Sequence, residues 1–315
     1  MGAIQNKYDF TVLFDVTNGN PNGDPDSGNM PRIDVETGSG LVTDVCIKRK
    51  IRDYVALVKE GQPGYGMYIS SGCSLNEADL KAVVSSNLVT ADPNADIDKQ
   101  VKQLKEELKK LKKSDENAAQ KVKEAACAMY YDVRTFGAVM TSYVSIGGSQ
   151  IRGPVQLGFA KSIDPIVQQE VTITRCVHAT VEEQRNKEGS GTMGNKYIVP
   201  YGLYRMDGYV SAALAQKYAG NINAGFSEDD LELFWTSVMN MFEHDRSASR
   251  GNMAVRKLII FKHDSKYGSV PAHKLFDRVV VKRKNGVDVA RSFGDYDVSI
   301  DNVSLPAGIV LEIRD

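Results

Sequence analysis

Acid–base chemistry has few candidates in this chain. Its four histidines are His178, His244, His263 and His273. His244 stands beside Asp245 and Arg246, a grouping that could orient a ribose 2′-hydroxyl for metal-independent cleavage of RNA. A histidine in such a setting is more often a hydrogen-bonded structural residue. Cys176 and His178 form a pair that lacks further ligands at zinc spacing. The run NGNPNGDPDSGN at 18–29 partly follows a calcium-binding loop. Its closing position is Asn29 where a bidentate acid belongs, its first ligand is not Asp, and a strand precedes it. A phosphate-binding P-loop motif is missing from the sequence. The expectation is therefore of no catalytic residue, no metal and no cofactor.

Binding of a polyanion has more candidates. Lys48, Arg49 and Arg52 crowd the start of a helical pattern, where the macrodipole prefers acids. That mismatch suggests a phosphate partner; a solvated basic face is the plainer alternative. In YDVRTFG, Arg134 and Phe136 supply a guanidinium and an aromatic two residues apart, usable for phosphate contact and base stacking. The competing assignment is a core Phe with Arg134 paired to Asp132. Arg152 and Gln156 flank the Gly153-Pro154 break, in a loop that either holds an RNA strand or is an ordinary turn. Arg246 and Arg250 lie in EHDRSASRG, and Asn20 lies in the Asn-rich loop, whose composition suits close approach to another backbone. The segment His178–Arg205, HATVEEQRNKEGSGTMGNKYIVPYGLYR, predicts a long β-hairpin with a glycine-rich tip at Gly189-Ser190-Gly191. Its Arg185, Asn186, Lys187 and Lys196 can bond phosphate or sugar oxygens. Met193 can wedge between bases or pack on a neighbouring subunit.

The elements that must carry these groups follow from hydrophobic periodicity. Strands are expected at Tyr8–Val16, Gly66–Cys73, Glu170–Val177, Tyr204–Ala212, Val255–Lys262, Arg278–Lys284, Tyr296–Ile300 and Ile309–Ile313. Val42–Val58 reads as a helix with Thr43 or Asp44 as N-cap and with Ile47, Ile51, Tyr54 or Val55, and Val58 on one face. Leu75–Leu88 reads as a short helix. Asp98–Met129 is amphipathic, with a narrow seam of Val101, Leu104, Leu108 and Leu111. Ser227–Phe242 carries an N-cap serine and a first turn of acids. With the insertions removed the order approximates a βαββαβ ferredoxin-like core, an α+β fold. RRM domains bind RNA on such a sheet, but their signature is not present here.

Bulk composition narrows the class. Lys and Arg total 39 against 40 Asp and Glu, a net charge of −1, which argues against a protein that coats itself in nucleic acid and leaves room for a local basic groove. The four cysteines form no CxxC pair, so the cytoplasm is the expected compartment. The N-terminus lacks an apolar signal core and the sequence lacks an apolar run of membrane-spanning length, so no membrane association is expected.

Four segments together, NGNPNGDPD, the KRKIR helix, the His178–Arg205 stretch and FEHDRSASRG, resemble the backbone subunit of type I-C Cascade, in the Csd-type branch of the RAMP superfamily of CRISPR surveillance complexes. The resemblance covers nearly the whole chain. It implies a ferredoxin-like (RRM-like) palm with an inserted helical finger subdomain and a projecting β-hairpin thumb. The boundaries would be palm at 1–74, finger at 75–132, palm with RNA-facing loops at 133–177, thumb at 178–205 and palm again at 206–315. It implies that several copies assemble as a helical filament along one CRISPR RNA, with other Cascade subunits, and that each thumb kinks the guide for pairing with target DNA. The RNA-binding set would be Asn20, Lys48, Arg49, Arg52, Arg134, Phe136, Arg152, Gln156, Arg185, Met193, Lys196, Arg246 and Arg250. Such a carrier accepts any spacer, so it should grip phosphates and sugars in place of base edges. Related type III subunits cut RNA with a loop aspartate, and Asp24, Asp26 and Asp34 occupy a comparable region. An endoribonuclease using those residues or His244 is the alternative to a non-catalytic carrier.

Overall fold

The computed structural model describes residues 2–90, 96–114, 117–140, 150–174, 177–178, 180–186, 193–217 and 225–315, the side chains at 105, 108–114 and 183 excepted. The fold is mixed α/β with a large antiparallel sheet. Its strands are β1 (Tyr8–Gly19), β2 (Gly23–Asp24), β3 (Met30–Pro31), β4 (Ser39–Val42), β5 (Gly137–Val139), β6 (Gln150–Arg152), β7 (Val155–Leu157), β8 (Ala160–Pro165), β9 (Gln169–Thr174), β10 (Met193–Val210), β11 (Asn252–His263), β12 (Val279–Arg283), β13 (Tyr296–Ile300) and β14 (Ile309–Arg314). The helices are α1 (Asp44–Val58), α2 (Leu75–Ser85), α3 (Ile97–Ser114), α4 (Ala118–Met129), α5 (Tyr131–Phe136), α6 (Val181–Asn186), α7 (Ala212–Ala215), α8 (Glu228–Asn240) and α9 (Ala272–Phe276). The main sheet runs β14-β11-β1-β10-β8-β4, with β7 and β9 also paired to β10.

β1 is central because both of its faces are buried, so its apolar residues do not merely alternate with polar ones. Tyr8, Phe10, Val12, Phe14 and Val16 face one side and pack with Ile47 and Ile51 of α1 and Leu231, Phe234, Trp235 and Val238 of α8. Phe10 meets Trp235 edge-on at 5.0 Å, and Phe14 stacks on Tyr204 at 5.3 Å. Each such side chain contributes about 1.5–3 kcal/mol by leaving water. On the opposite side Leu13 packs with Tyr201, Leu203 and Tyr296, while Ile259 and Phe261 pack with Leu275, Val279 and Ile309. That side also buries His263, whose Nε2 lies 2.8 Å from Asp9 and whose Nδ1 accepts from the Ser269 amide. With Nδ1 occupied by the Ser269 amide, Nε2 is left to donate to Asp9.

The helices follow their local signals. Thr43 caps α1 by accepting from the Cys46 amide, and Ser227 with Asp230 forms a full capping box on α8. Helices α2 and α4 build a separate small core with Tyr68, Tyr130, Val133 and Ile151. Val101 and Leu104 of the α3 seam pack on Leu80; its Leu108 and Leu111 lie outside the described side chains.

Several expectations need correction. Gly66–Cys73 is irregular apart from an isolated bridge between Gly66 and Tyr130, because the Tyr68 and Ile69 amides are taken by the Asp132 carboxylate and not by a strand. The segment after His178 holds α6: its Glu-Glu-Gln-Arg run is made of helix formers and its apparent alternation is too short to override them. The hairpin arms are instead β9 and the first third of β10, paired from Met193↔Thr174 to Ile198↔Gln169. The expected tip at Gly189-Ser190-Gly191, with Lys187, lies outside the described residues, as does Cys176. The expected strand at Tyr204–Ala212 is the far part of one strand starting at Met193 and ending at Val210. β10 passes Pro200 unbroken because Val199 pairs with Gly19 and Tyr201 with Thr17, leaving the amide-less residue between registers. β4 and β7 are too brief to show a period, and β8, AKSIDP, carries too few apolar residues to show one.

Candidate nucleic-acid interface

The end of β1, the 20–29 loop, the start of α1 and the 245–251 segment after α8 enclose a cleft of about 340 Å³. Backbone proximity shapes it. The Asn20 amide donates to Ser249 O at 2.8 Å. A Cβ on Gly19 would lie 1.9 Å from the Arg250 carbonyl oxygen, and Gly251 adopts φ +63° against the Asn18 backbone, so only glycine fits at this crossing. On the loop, the Asn20 amide group donates to Asn29 O at 2.8 Å. Asn22 accepts from both the amide and the hydroxyl of Thr43 at 3.0 Å, which ties the loop to the N-cap of α1.

The cations of the cleft have distinct partners. Arg49 is largely exposed and reaches Asp53 only at 3.7 Å. Lys50 is buried on the inner face of α1, its ammonium against Oδ2 of Asp245. Arg250 donates from Nη1 to Oδ1 of the same carboxylate and to the Asp245 carbonyl. Burial, and then the positive charge of Arg250 and Arg49, pushes Lys50 down to about 8, against the opposing pull of Cys46 and Asp53. Ser247, Ser249, Asn22, Asn29 and Cys46 also line it. Lys196 of β10 reaches the edge of the cleft, donating to Ala248 O at 3.3 Å. The arrangement offers guanidinium, hydroxyl and amide donors around a space large enough for a phosphate and its sugar.

The structure therefore brings Asn20, Arg49 and Arg250 together, with Lys196 at the margin, and separates the others. Lys48 is paired to Asp44 at 2.8 Å and lies 5.8 Å from the Phe136 ring centre. Arg52 donates from Nε to Asp132 at 2.8 Å, beneath the same ring. Arg134 and Phe136 are corrections to the expected stacking pair, since both are 7% exposed. Arg134 forms a two-pronged pair with Asp230, at 2.8 and 3.1 Å, and not with Asp132; Phe136 packs edge-on to Phe234. Arg152 is exposed on β6, and Gln156 on β7 bonds back to Gly153 O at 3.1 Å, both away from the cleft lining. Arg185 is exposed on α6 and Met193 is 72% exposed at the far end of the β9–β10 ladder. Arg246 points outward, paired to Glu243 at 2.7 Å. Lys50, Asn22, Asp245, Ser247 and Ser249 were missed. Lys50 had a signal, a cation on the same apolar face as Ile47 and Ile51; the others depend on a contact across about 200 residues.

Of the groups proposed for hydrolysis, Asp24 and Asp34 are held in ion pairs, and Asp26 and His244 are exposed. Asp24 lies 3.2 Å from Arg32. Asp34 binds Lys161 at 3.0 Å, and with Thr37 and the Glu36 amide this pushes its carboxyl down to about 2. His244 is exposed, its ring 6.2 Å from that of Tyr54. Among the described residues no cluster of three His, Cys, Asp or Glu is placed to hold a metal, and no helix is long and apolar enough to cross a membrane.

A family model described as CRISPR-associated protein Cas7 matches residues 6–301. The chain belongs to the Cas7 family. A curated relative from Haloferax volcanii, CRISPR-associated protein Cas7, is 25% identical over 256 residues, covering 75% of this chain and 65% of the relative. This Cas7-family chain thus spans just under two thirds of that relative's length. Among solved structures, a chain of a CRISPR RNA-guided surveillance complex, pre-nicking, has a TM-score of 0.45 at 15% identity, over 81% of this chain and 78% of that one. A chain of the type III-B Cmr-beta bound to cognate target RNA has a TM-score of 0.42 at 12% identity, over 81% and 61%. TM-scores this low leave both likenesses without weight for the assignment.

Proposed function

We propose that this Cas7-family chain is a non-catalytic CRISPR RNA-binding subunit that forms the backbone of a type I-C Cascade complex in the cytoplasm. Copies assemble as a helical filament along one guide RNA beside the other Cascade subunits. Each grips phosphates without regard to sequence, and its hairpin kinks the guide so that target DNA can pair. The order β11-β1-β10-β8, with α1 and α8 packed on one face, supports a ferredoxin-like palm. The separate core of α2 and α4 supports a finger subdomain, and the largely exposed β9–β10 ladder supports a thumb. The observation that carries the reading is the cleft itself. Its donors are Arg49, Arg250, serine hydroxyls and asparagine amides, suited to backbone oxygens, with Lys196 joining it to the hairpin. The ion pairs of Asp24 and Asp34 favour a carrier over a ribonuclease.

The test is binding of two labelled single-stranded RNAs of unrelated sequence to the full chain and to Arg49→Glu and Arg250→Glu variants. Equal loss on both RNAs is expected, with a salt dependence that weakens as charges are removed. Loss on one sequence alone would rule out backbone gripping. His244→Ala should leave RNA integrity as in the wild type; RNA degraded by the wild type and spared by the variant would instead make the protein a nuclease.

A further inference from the structure

One cation that lines the cleft is almost wholly buried. The Lys50 side chain is only 4% exposed, and its ammonium rests on Asp245 Oδ2 and lies 5.6 Å from the Phe242 ring centre. Asp245 is nearly as buried and holds Arg250 with its other oxygen. The carboxylate engages Arg250 through Nη1, and about a third of the arginine side chain stays open to the cleft. The four charged groups here, Lys50, Asp245, Arg250 and Arg49, together carry two positive charges. Without Lys50 the Asp245 charge would fall on Arg250 alone, and the cleft would carry one.

We infer that Lys50 is a positioning residue acting through Asp245: its ammonium balances the carboxylate that anchors Arg250, so that Arg250 is held in place and still presents a net charge to an RNA phosphate. The inference rests on the reading of the cleft as an RNA-backbone site. The geometry explains why a cation occupies the apolar face of α1 next to Ile47 and Ile51. A neutral residue there would leave a buried carboxylate compensated by a single, ligand-facing arginine. Without Lys50 the Asp245–Arg250 pair would be neutral as a unit and would attract an anion less.

The experiment measures affinity of a labelled single-stranded RNA for the full chain as salt is varied. Lys50→Met should weaken binding roughly 3- to 10-fold, the scale of one surface charge interaction, and lower the slope of log affinity against log salt by about one, although Lys50 touches no phosphate. Lys50→Arg should restore both. The double variant Lys50→Met with Asp245→Asn regains the two-charge balance and an oxygen for Arg250, so its slope should match the wild type. If Lys50→Met does not fold, the double variant decides alone: a wild-type slope supports the inference and a slope lower by one overturns it. Binding should also fall as pH rises through about 8, where Lys50 loses its proton among Asp245, Arg250, Cys46, Arg49 and Asp53, and the Lys50→Arg variant should not show that fall. A Lys50→Met variant with wild-type affinity and slope overturns the inference while leaving the cleft intact as an RNA site, provided Arg49→Ala and Arg250→Ala still weaken binding. If those two variants bind as the wild type does, the RNA reading of the cleft fails with it.

Discussion

On α1, Lys48 and Arg52 turn toward Phe136 and α5, whereas Arg49 and Lys50 turn toward the 245–251 segment. All four lie within five residues of sequence. The first two are neutralised by Asp44 and Asp132, and only about a tenth of the Arg52 side chain is exposed. The second two share a cleft in which one carboxylate serves two cations. The difference lies in where the acids are. Asp44 is one turn away, but Asp132 is 80 residues from Arg52 and Asp245 is 195 residues from Lys50. A basic cluster therefore has two kinds of member: Lys48, Lys50 and Arg52 are paired with acids inside the protein, and Arg49 stays largely exposed.

The largest effect separating the two kinds is expected at Asp132. Its carboxylate accepts from Arg52 at 2.8 Å and from the Tyr68 and Ile69 amides at 2.8 and 3.1 Å. Asp132→Ala leaves a mostly buried guanidinium and two amides without their acceptor, a loss of about 3–5 kcal/mol in urea unfolding. The RNA affinity of the folded fraction should not change. A stable variant with impaired RNA binding would place the inward cations in the interface and erase the distinction drawn here.

A smaller loss of about 1 kcal/mol is expected for Ser227→Ala, which removes the cap of α8. This site also marks what was legible. The Ser227 cap, the acids after it, the Tyr8–Val16 strand and the strands from Val255 onward could be read locally, because caps and apolar patterns act over a few residues. The placement of Arg134 could not. Its sequence neighbour Asp132 was the natural partner, yet Asp230, 96 residues on, takes its guanidinium, since α5 packs against the first turn of α8. The cleft was half legible. Arg49 could be read from its place in the α1 pattern and Arg250 and Asn20 came with the family resemblance, but Asp245 joins them only through the crossing of Gly19 over Arg250.

Arg49→Ala sharpens the comparison from the other side. Its side chain is 64% exposed with one long contact to Asp53, so unfolding should change by no more than about 0.5 kcal/mol. RNA affinity should fall roughly 3- to 10-fold with a shallower salt slope. A variant that loses stability and keeps RNA affinity would move Arg49 into the structural group.

The smallest effect concerns Asp34, the exposed counterpart of Asp132. Lys161, Thr37 and the Glu36 amide stabilise its charged form and hold its carboxyl near 2, below the value of about 3.9 for an unfolded chain. The stability this provides is complete above pH 4 and is lost as pH falls toward 2. The stability difference between wild type and Asp34→Asn should be constant from pH 7 to about 4.5, close toward zero by pH 2, and shrink in high salt. Asp132 should behave otherwise, because the Asp132→Ala loss comes from buried groups and should persist in salt that screens the Asp34–Lys161 pair. If both differences vanished together in salt, burial would not be what separates these two carboxylates, nor the two kinds of cation they serve.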